Sequence, residues 1–212
     1  MPADSLQALE KRCSWRNFLA QEQIIDRQNT SRDVYFIVTG RVRVVNFSLS
    51  GREVAFDEIP AGAYFGETAA IDGEPRSATV VALGDTMVAI MSPETLYALL
   101  IEHPKVALSL MVRMATIIRT SNERIMDLST LGANNRVYAE ILRLAKDSAS
   151  DENIAIIKPI PIHGDIASRV STTRETVARV LNDLARKGLV KRGKSALHIL
   201  DMEHLSDKFQ ME

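Results

Sequence analysis

The sequence predicts an α+β chain in three parts. An antiparallel β jelly roll spans residues 1–103, a long helix 104–131, and a winged helix-turn-helix 132–212. Three observations carry this. Short alternating apolar segments, broken by Gly and Pro turns, fill residues 34–91. No Gly or Pro interrupts residues 105–131. Near the C-terminus two short amphipathic helices precede two short strands.

The elements follow in order. Residues 1–30 are mixed and begin helical, with Leu6, Leu9 and Phe18 as apolar anchors. Val34–Val38 is a strand, Gly40 interrupts it, and Arg41–Val45 alternates with period two. Ser50-Gly51 marks a turn, Glu53–Ile59 alternates again, and Pro60-Ala61-Gly62 turns back. Ala78–Leu83 and Thr86–Met91 flank Gly84-Asp85, a hairpin signal. Ser92 then caps a helix, with Pro93 at the first helical position where its missing N–H costs nothing. That helix ends near His103-Pro104.

The uninterrupted stretch that follows is long enough for a helix of about 40 Å. Leu108, Met111, Ala115, Ile118, Asn122, Ile125 and Ser129 recur at alternating spacings of 3 and 4, a heptad seam. Such a helix pairs with a second copy, or packs only on its own domain. A polar Asn122 in the seam favours the homodimer, because it fixes register. Gly132–Asn135 reads as a hinge at the domain boundary. A helix from about Arg136 to Lys146 puts Val137, Ile141, Leu144 and Ala145 on one face. A polar loop over 147–153, a strand at Ile154–Ile157, and Pro159 and Pro161 lead into the last motif.

That motif carries the sharpest functional signal. Val177, Val180, Leu181 and Leu184 form an apolar stripe at i, i+3, i+4, i+7. A Ser/Thr run at 171–173 supplies an N-cap, so this helix starts near Thr173. His163–Val170 is a second short amphipathic piece. In a helix-turn-helix the first residues of the second helix meet the major groove. Arg174 and Arg179 suit guanine, and Glu175 can accept from cytosine. A merely solvated helix face is the other reading. Charge placement bears on the choice. Residues 1–132 carry 13 basic and 16 acidic side chains, whereas 133–200 carry 12 and 7, a local excess of 12 − 7 = +5 hidden in a total of −1. Residues 188–200 read as a β-hairpin wing turning at Gly193-Lys194, with Lys191, Arg192 and Lys194 near its tip for phosphate contact.

Bulk composition excludes several classes. The chain is 46% hydrophobic and 25% charged, as in ordinary globular proteins. No apolar run reaches a membrane span and no signal peptide opens the chain, so a cytoplasmic protein with no membrane partner is expected. The lone Cys13 can neither form an internal disulfide nor by itself hold an iron–sulfur cluster or structural zinc. His103, His163, His198 and His204 lack metal-ligand spacing, so no metal is expected.

One segment, Tyr64–Thr79, departs from structural duty. Gly66 lets a ligand approach the backbone, and the amides after it can cradle a phosphate. Glu67 can accept from a sugar hydroxyl, Arg76 can fork onto a phosphate, and Ser77 adds a hydroxyl. From spacing alone, a surface loop with an Arg–Glu ion pair is the favoured reading.

The F-G-E of 65–67, the nine-residue step from Glu67 to Arg76, P-R-S-A-T at 75–79 and R-E-T-V-A-R at 174–179 resemble the bacterial cyclic-AMP receptor protein (CRP/FNR) family over nearly the full chain. The resemblance implies a cyclic-nucleotide-binding β-roll, a dimerisation helix and a DNA-binding domain. It implies that Gly66, Glu67 and Thr68 meet the phosphoribose, with Glu67 on the ribose 2′-hydroxyl, and that Arg76 and Ser77 hold the cyclic phosphate. Ser121 and Asn122 stand where long-helix residues of both subunits reach the base. Arg174, Glu175 and Arg179 match base-reading positions, implying double-stranded DNA with a TGTGA-like inverted repeat. His163, Thr173, Thr176, Lys191 and Lys194 fall to phosphate contacts. The effector implied is cAMP, with cGMP open because Asn122 replaces a Ser. RNA polymerase is the further partner implied, although a short N-terminus predicts a reduced contact surface there.

Departures from the family pattern narrow the sensor. No Cys or His lies within 60–80, which disfavours haem and iron–sulfur relatives despite Pro2. Thr68-Ala69-Ala70 replaces the usual aliphatic pair, so a ligand-independent or differently liganded regulator stays a rival. An enzyme acting on cyclic nucleotides is the remote rival, without paired metal ligands or a Ser/His/Asp grouping; no enzyme is expected.

Overall fold

A computed structural model describes residues 3–148 and 153–210. The chain divides into two compact units, Met1–Thr116 and Ile117–Glu212.

The first unit opens with α1 (Ala3–Glu10). Eight strands follow: β1 (Ser14–Phe18), β2 (Gln23–Ile25), β3 (Val34–Thr39), β4 (Arg41–Phe47), β5 (Glu53–Pro60), β6 (Tyr64–Phe65), β7 (Thr79–Ala82) and β8 (Thr86–Met91). They pair antiparallel into two four-stranded sheets, ordered β1-β8-β3-β6 and β2-β7-β4-β5. This is the jelly roll that the alternating pattern predicts. Phe18, Tyr35, Ile37, Phe65 and Val88 from one sheet are buried with Ile25, Val42, Ile59, Val80 and Ala82 from the other. The alternation sends every second side chain between the sheets. The ladder of β4 on β5 shifts register between Val44 and Val45, an extra residue that bends the pair.

A short helix α2 (Glu67–Asp72) lies between β6 and β7, where the sequence predicts a loop. It runs between two left-handed glycines, Gly66 (φ 84) and Gly73 (φ 75). Helix α3 (Pro93–Glu102) is capped as its sequence predicts: the Ser92 hydroxyl accepts from the Thr95 N–H at 3.3 Å. Val34, Ala70, Met91, Leu96 and Leu99 seal α2 and α3 against the strands.

The long helix α4 (Pro104–Thr130) has 27 residues, of which Leu110 is buried. Leu108, Met111, Ile118 and Ile125 are 58, 58, 59 and 59% exposed, so the predicted seam lies open on the surface. Helix α5 (Ala133–Ala145) starts three residues before the predicted Arg136. Gly132 is its N-cap at φ −65, a conformation open to any residue. A 3₁₀ turn (Lys146–Ser148) follows; the remainder of the polar loop expected over 147–153 lies mostly outside the described residues.

Strand β9 (Ala155–Ile157) leads to α6 (His163–Arg169) and α7 (Arg174–Arg186), then β10 (Val190–Arg192) and β11 (Leu197–Ile199). The three strands form one antiparallel sheet ordered β10-β11-β9. Val177, Val180 and Leu184 of α7 are buried with Val137, Ile141 and Ala145 of α5 and Ile166 of α6. A final helix α8 (Met202–Gln210), which the sequence pattern does not announce, seats Leu205 in this core.

Candidate ligand site and nucleic-acid interface

The β6–α2–β7 segment builds the first site. Gly66 needs its glycine: a Cβ there would sit 2.8 Å from Arg76 Nη1 and 2.9 Å from the Asp33 carbonyl, at a φ that strains any other residue. Glu67 opens α2 and is 8% exposed; Thr68 beside it is exposed.

Arg76 departs from the free fork that the sequence suggests. It is 4% exposed. Its Nη1 donates to the Gly66 carbonyl (2.9 Å) and its Nη2 to the Asp33 carbonyl (2.8 Å). Nε and Nη2 both donate to the Ser31 hydroxyl, at 3.3 and 3.2 Å. The guanidinium also lies 5.7 Å from the Tyr35 ring centroid. Among the described residues it makes no ion pair, so the surface Arg–Glu pair of the simpler reading is absent. Burial pushes the Arg76 pKa below its ordinary value, opposed by Tyr35, Asp33 and Glu67. A buried cation held by neutral acceptors is left with charge to spare for an anion. Ser77 is exposed, its carbonyl accepting from Asn46 Nδ2 at 3.3 Å.

Ser31, Asp33 and Tyr35 hold Arg76 in place, and the sequence reading missed them. They lie 41–45 positions before Arg76, and no local motif marks them. Arg113 of α4 also borders this segment: its guanidinium stacks 4.3 Å from the Tyr64 ring centroid, one residue before Phe65-Gly66-Glu67. Ser121 and Asn122 belong to the second unit and are exposed on α4.

The second site is the helix-turn-helix. Ser171 adopts φ +52 between α6 and α7, which turns the chain tightly. The Thr173 hydroxyl accepts from the Thr176 N–H at 3.2 Å, the predicted cap. Arg174, Glu175 and Arg179 are all exposed along the first turns of α7. Bare Gly164 gives Arg174 room: a Cβ there would meet Arg174 Nε at 2.9 Å. Glu175 has its pKa held below the ordinary carboxylate value by its own backbone N–H, the Thr173 hydroxyl and Arg174. It is therefore an ionised acceptor at neutral pH. Arg179 reaches the Thr176 hydroxyl at 3.4 Å. Lys191 is exposed on β10 and Lys194 in the turn, closed by the Gly193 N–H on the Ala196 carbonyl at 2.8 Å. His163 opens α6, half-buried. One unit thus gathers Arg174, Glu175, Arg179, Thr173, Thr176, His163, Lys191, Lys194 and Gly132; the other gathers Gly66, Glu67, Thr68, Arg76 and Ser77.

Comparison with known proteins supplies the family. Residues 15–103 match the cyclic nucleotide-binding domain and residues 135–208 the Crp-like helix-turn-helix domain. The cyclic AMP receptor protein of Thermus thermophilus is 30% identical over 82% of this chain and 78% of its own. The chain belongs to the CRP/FNR family of transcription regulators.

Solved structures of the family share its fold. A CooA mutant from Carboxydothermus hydrogenoformans superposes with a TM-score of 0.84 at 19% identity, covering 95% of this chain and 90% of that one. The c-di-GMP responsive regulator CLP of Xanthomonas campestris gives 0.73 at 19%, covering 94 and 99%. A CRP/FNR regulator of this build has a cyclic-nucleotide-binding β-roll followed by a DNA-binding helix-turn-helix. No single helix among the described residues is long and apolar enough to cross a membrane.

Proposed function

We propose that this CRP/FNR regulator is a homodimer that reads a TGTGA-like inverted repeat under the control of a cyclic nucleotide, cAMP before cGMP. The buried, ion-pair-free Arg76 cation beside Gly66 and Glu67 carries the reading. A cyclic phosphate supplies the single negative charge this guanidinium lacks, and Glu67 accepts from the ribose hydroxyl. The relative named cyclic AMP receptor protein supports cAMP. Within this reading Thr68 and Ser77 complete the phosphoribose contacts, and Ser121 and Asn122 meet the base from α4. The absence of Cys and His from 60–80 argues against haem or an iron–sulfur cluster as effector.

Control is a population shift: the nucleotide has to bind the DNA-competent dimer more tightly than the other form. The open seam of α4 supports pairing, because four large apolar side chains more than half exposed gain burial from a second copy. The Gly132 junction is the hinge at which the DNA-binding unit reorients, placing two copies of α7 about 34 Å apart. Arg174, Glu175 and Arg179 read bases; His163, Thr173, Thr176, Lys191 and Lys194 hold phosphates. RNA polymerase is the further partner, and the setting is the cytoplasm. The protein performs no catalysis in this reading.

Calorimetric titration with cAMP and cGMP, followed by binding to a TGTGA palindrome with and without nucleotide, tests it. Nucleotide binding that raises DNA affinity is expected, with the nucleotide recovered intact. DNA binding indifferent to both nucleotides would sink the control mechanism and favour the ligand-independent regulator.

A further inference from the structure

The strongest unexplained feature is a buried carboxylate in the second unit. Glu140 of α5 is 1% exposed. Its Oε2 lies 2.6 Å from Arg143 Nη1, and its Oε1 lies 3.3 Å from Arg169 Nη1 and 3.9 Å from Arg124 Nη2. These arginines come from α5, α6 and α4 respectively. Arg143 extends the cluster, with Nη2 2.8 Å from Asp127 Oδ2 and Nε 3.9 Å from Glu123 Oε2, both on α4. Three carboxylates and three guanidiniums therefore meet where the last third of the long helix, the helix after it and the first helix of the DNA-binding motif converge.

We propose that Glu140 is a positioning residue for DNA binding, the charge node that fixes the end of α4 against the first helix of the helix-turn-helix. The inference rests on the function proposed above. It extends that function to a group that touches neither nucleotide nor DNA.

Stability alone does not explain the node. Burying Glu140, with its arginines and Asp127 mostly covered, costs desolvation, and well-packed apolar residues in such places are commonly as stable or more so. What charged groups add is direction: a forked guanidinium holds a carboxylate in one register, whereas apolar side chains slide. A second tie acts nearby. Arg136 donates to the Leu131 carbonyl (2.9 Å) after α4, and to the Val170 (2.8 Å) and Ser171 (3.2 Å) carbonyls in the turn before α7. Two attachment points about one helical turn apart along α5 fix an orientation where one would leave a pivot. A displacement of α4 is thereby passed to α6, and through its packing to α7.

The test uses the full-length protein in three forms: Glu140→Gln, Glu140→Asp, and the double variant Glu140→Met with Arg169→Met. Three quantities are read: cAMP affinity, the cAMP-induced gain in palindrome affinity, and melting temperature. Glu140→Gln should keep cAMP affinity within about twofold and cut the DNA gain by about tenfold or more, the size of a typical inter-site coupling. Glu140→Asp should recover part of the gain. The double Met variant should melt at or above the wild-type temperature and still lack the gain. A stable double Met variant with the full gain overturns the proposal. A loss of DNA binding that tracks melting temperature in every variant overturns it equally. Wild-type protein without any cAMP-induced gain removes the proposed function instead; Glu140→Gln should then weaken nucleotide-free palindrome binding, and unchanged affinity overturns the proposal.

Discussion

Replacing Arg76 by Ala tests stability and ligand binding at once. The guanidinium satisfies the Gly66 and Asp33 carbonyls and the Ser31 hydroxyl. Truncation orphans three acceptors, each worth about 1 kcal/mol when left without a donor. Relief of a buried cation without an ion pair offsets part of that loss. The first unit should therefore lose about 2 kcal/mol. The phosphate contact is a separate quantity. A charge-assisted hydrogen bond contributes about 1.5–3 kcal/mol, so cAMP affinity should fall roughly 10- to 150-fold. Denaturant unfolding measures the first number. Calorimetry at a temperature where the variant is fully folded measures the second. Ser31→Ala is the control: it removes one acceptor, costs about 1 kcal/mol or less, and should leave cAMP affinity intact. A destabilised Arg76→Ala protein that binds cAMP within about twofold of wild type would make Arg76 a structural cation and refute the phosphate assignment.

Arg174→Ala should cost about 1–3 kcal/mol on the preferred palindrome and relax preference at one guanine, measured on single-base variants of the site. Lys191→Ala should weaken all sequences evenly and lower the salt slope by about one; uniform losses from both variants would mean that α7 does not read bases. Asn122→Leu should give a dimer of equal or greater stability by sedimentation, with weaker cAMP binding and a nucleotide–DNA coupling falling from about 1–3 kcal/mol toward zero. A full response in that variant would leave Asn122 with a register role only.

Period-two strands between glycine turns were legible because alternation follows from which side chains face the core; Val42, Ile59 and Val88 all fall inward as expected. Strands β1 and β2 were not. Ser14–Phe18 buries Phe18 alone, and Gln23–Ile25 is too short to alternate, so their pairing with β8 and β7 decides them. Helix α2 escaped for a related reason: its six residues span less than two turns, too few for an apolar period to repeat. The β6–α2–β7 site was legible as residue types, Gly66, Glu67 and Arg76, but its packing was not. Arg76 is buried by Ser31 and Asp33, which reach it only through the folded sheet. Glu140 escaped because a lone Glu in a helix reads as solvated, and its burial depends on arginines 16 positions before it and 29 after it.

The long helix shows how far a pattern can outrun a single chain. In proteins, packing of an apolar face supplies most of a helix's stability. Within one chain α4 has Leu110 as its buried residue. Its seam residues Leu108, Met111, Ile118 and Ile125 stay more than half exposed. Burying such a side chain contributes on the order of 1 kcal/mol from the exposed part alone. Four from each subunit would supply on the order of 8 kcal/mol before the cost of association, which is itself several kcal/mol. The margin is narrow. Asn122 sits in that same predicted seam, where a polar group fixes register at a cost in stability. In the proposed dimer, a nucleotide that gave this amide a partner would relieve part of that cost, and a coupling of ordinary size would be enough to shift the balance.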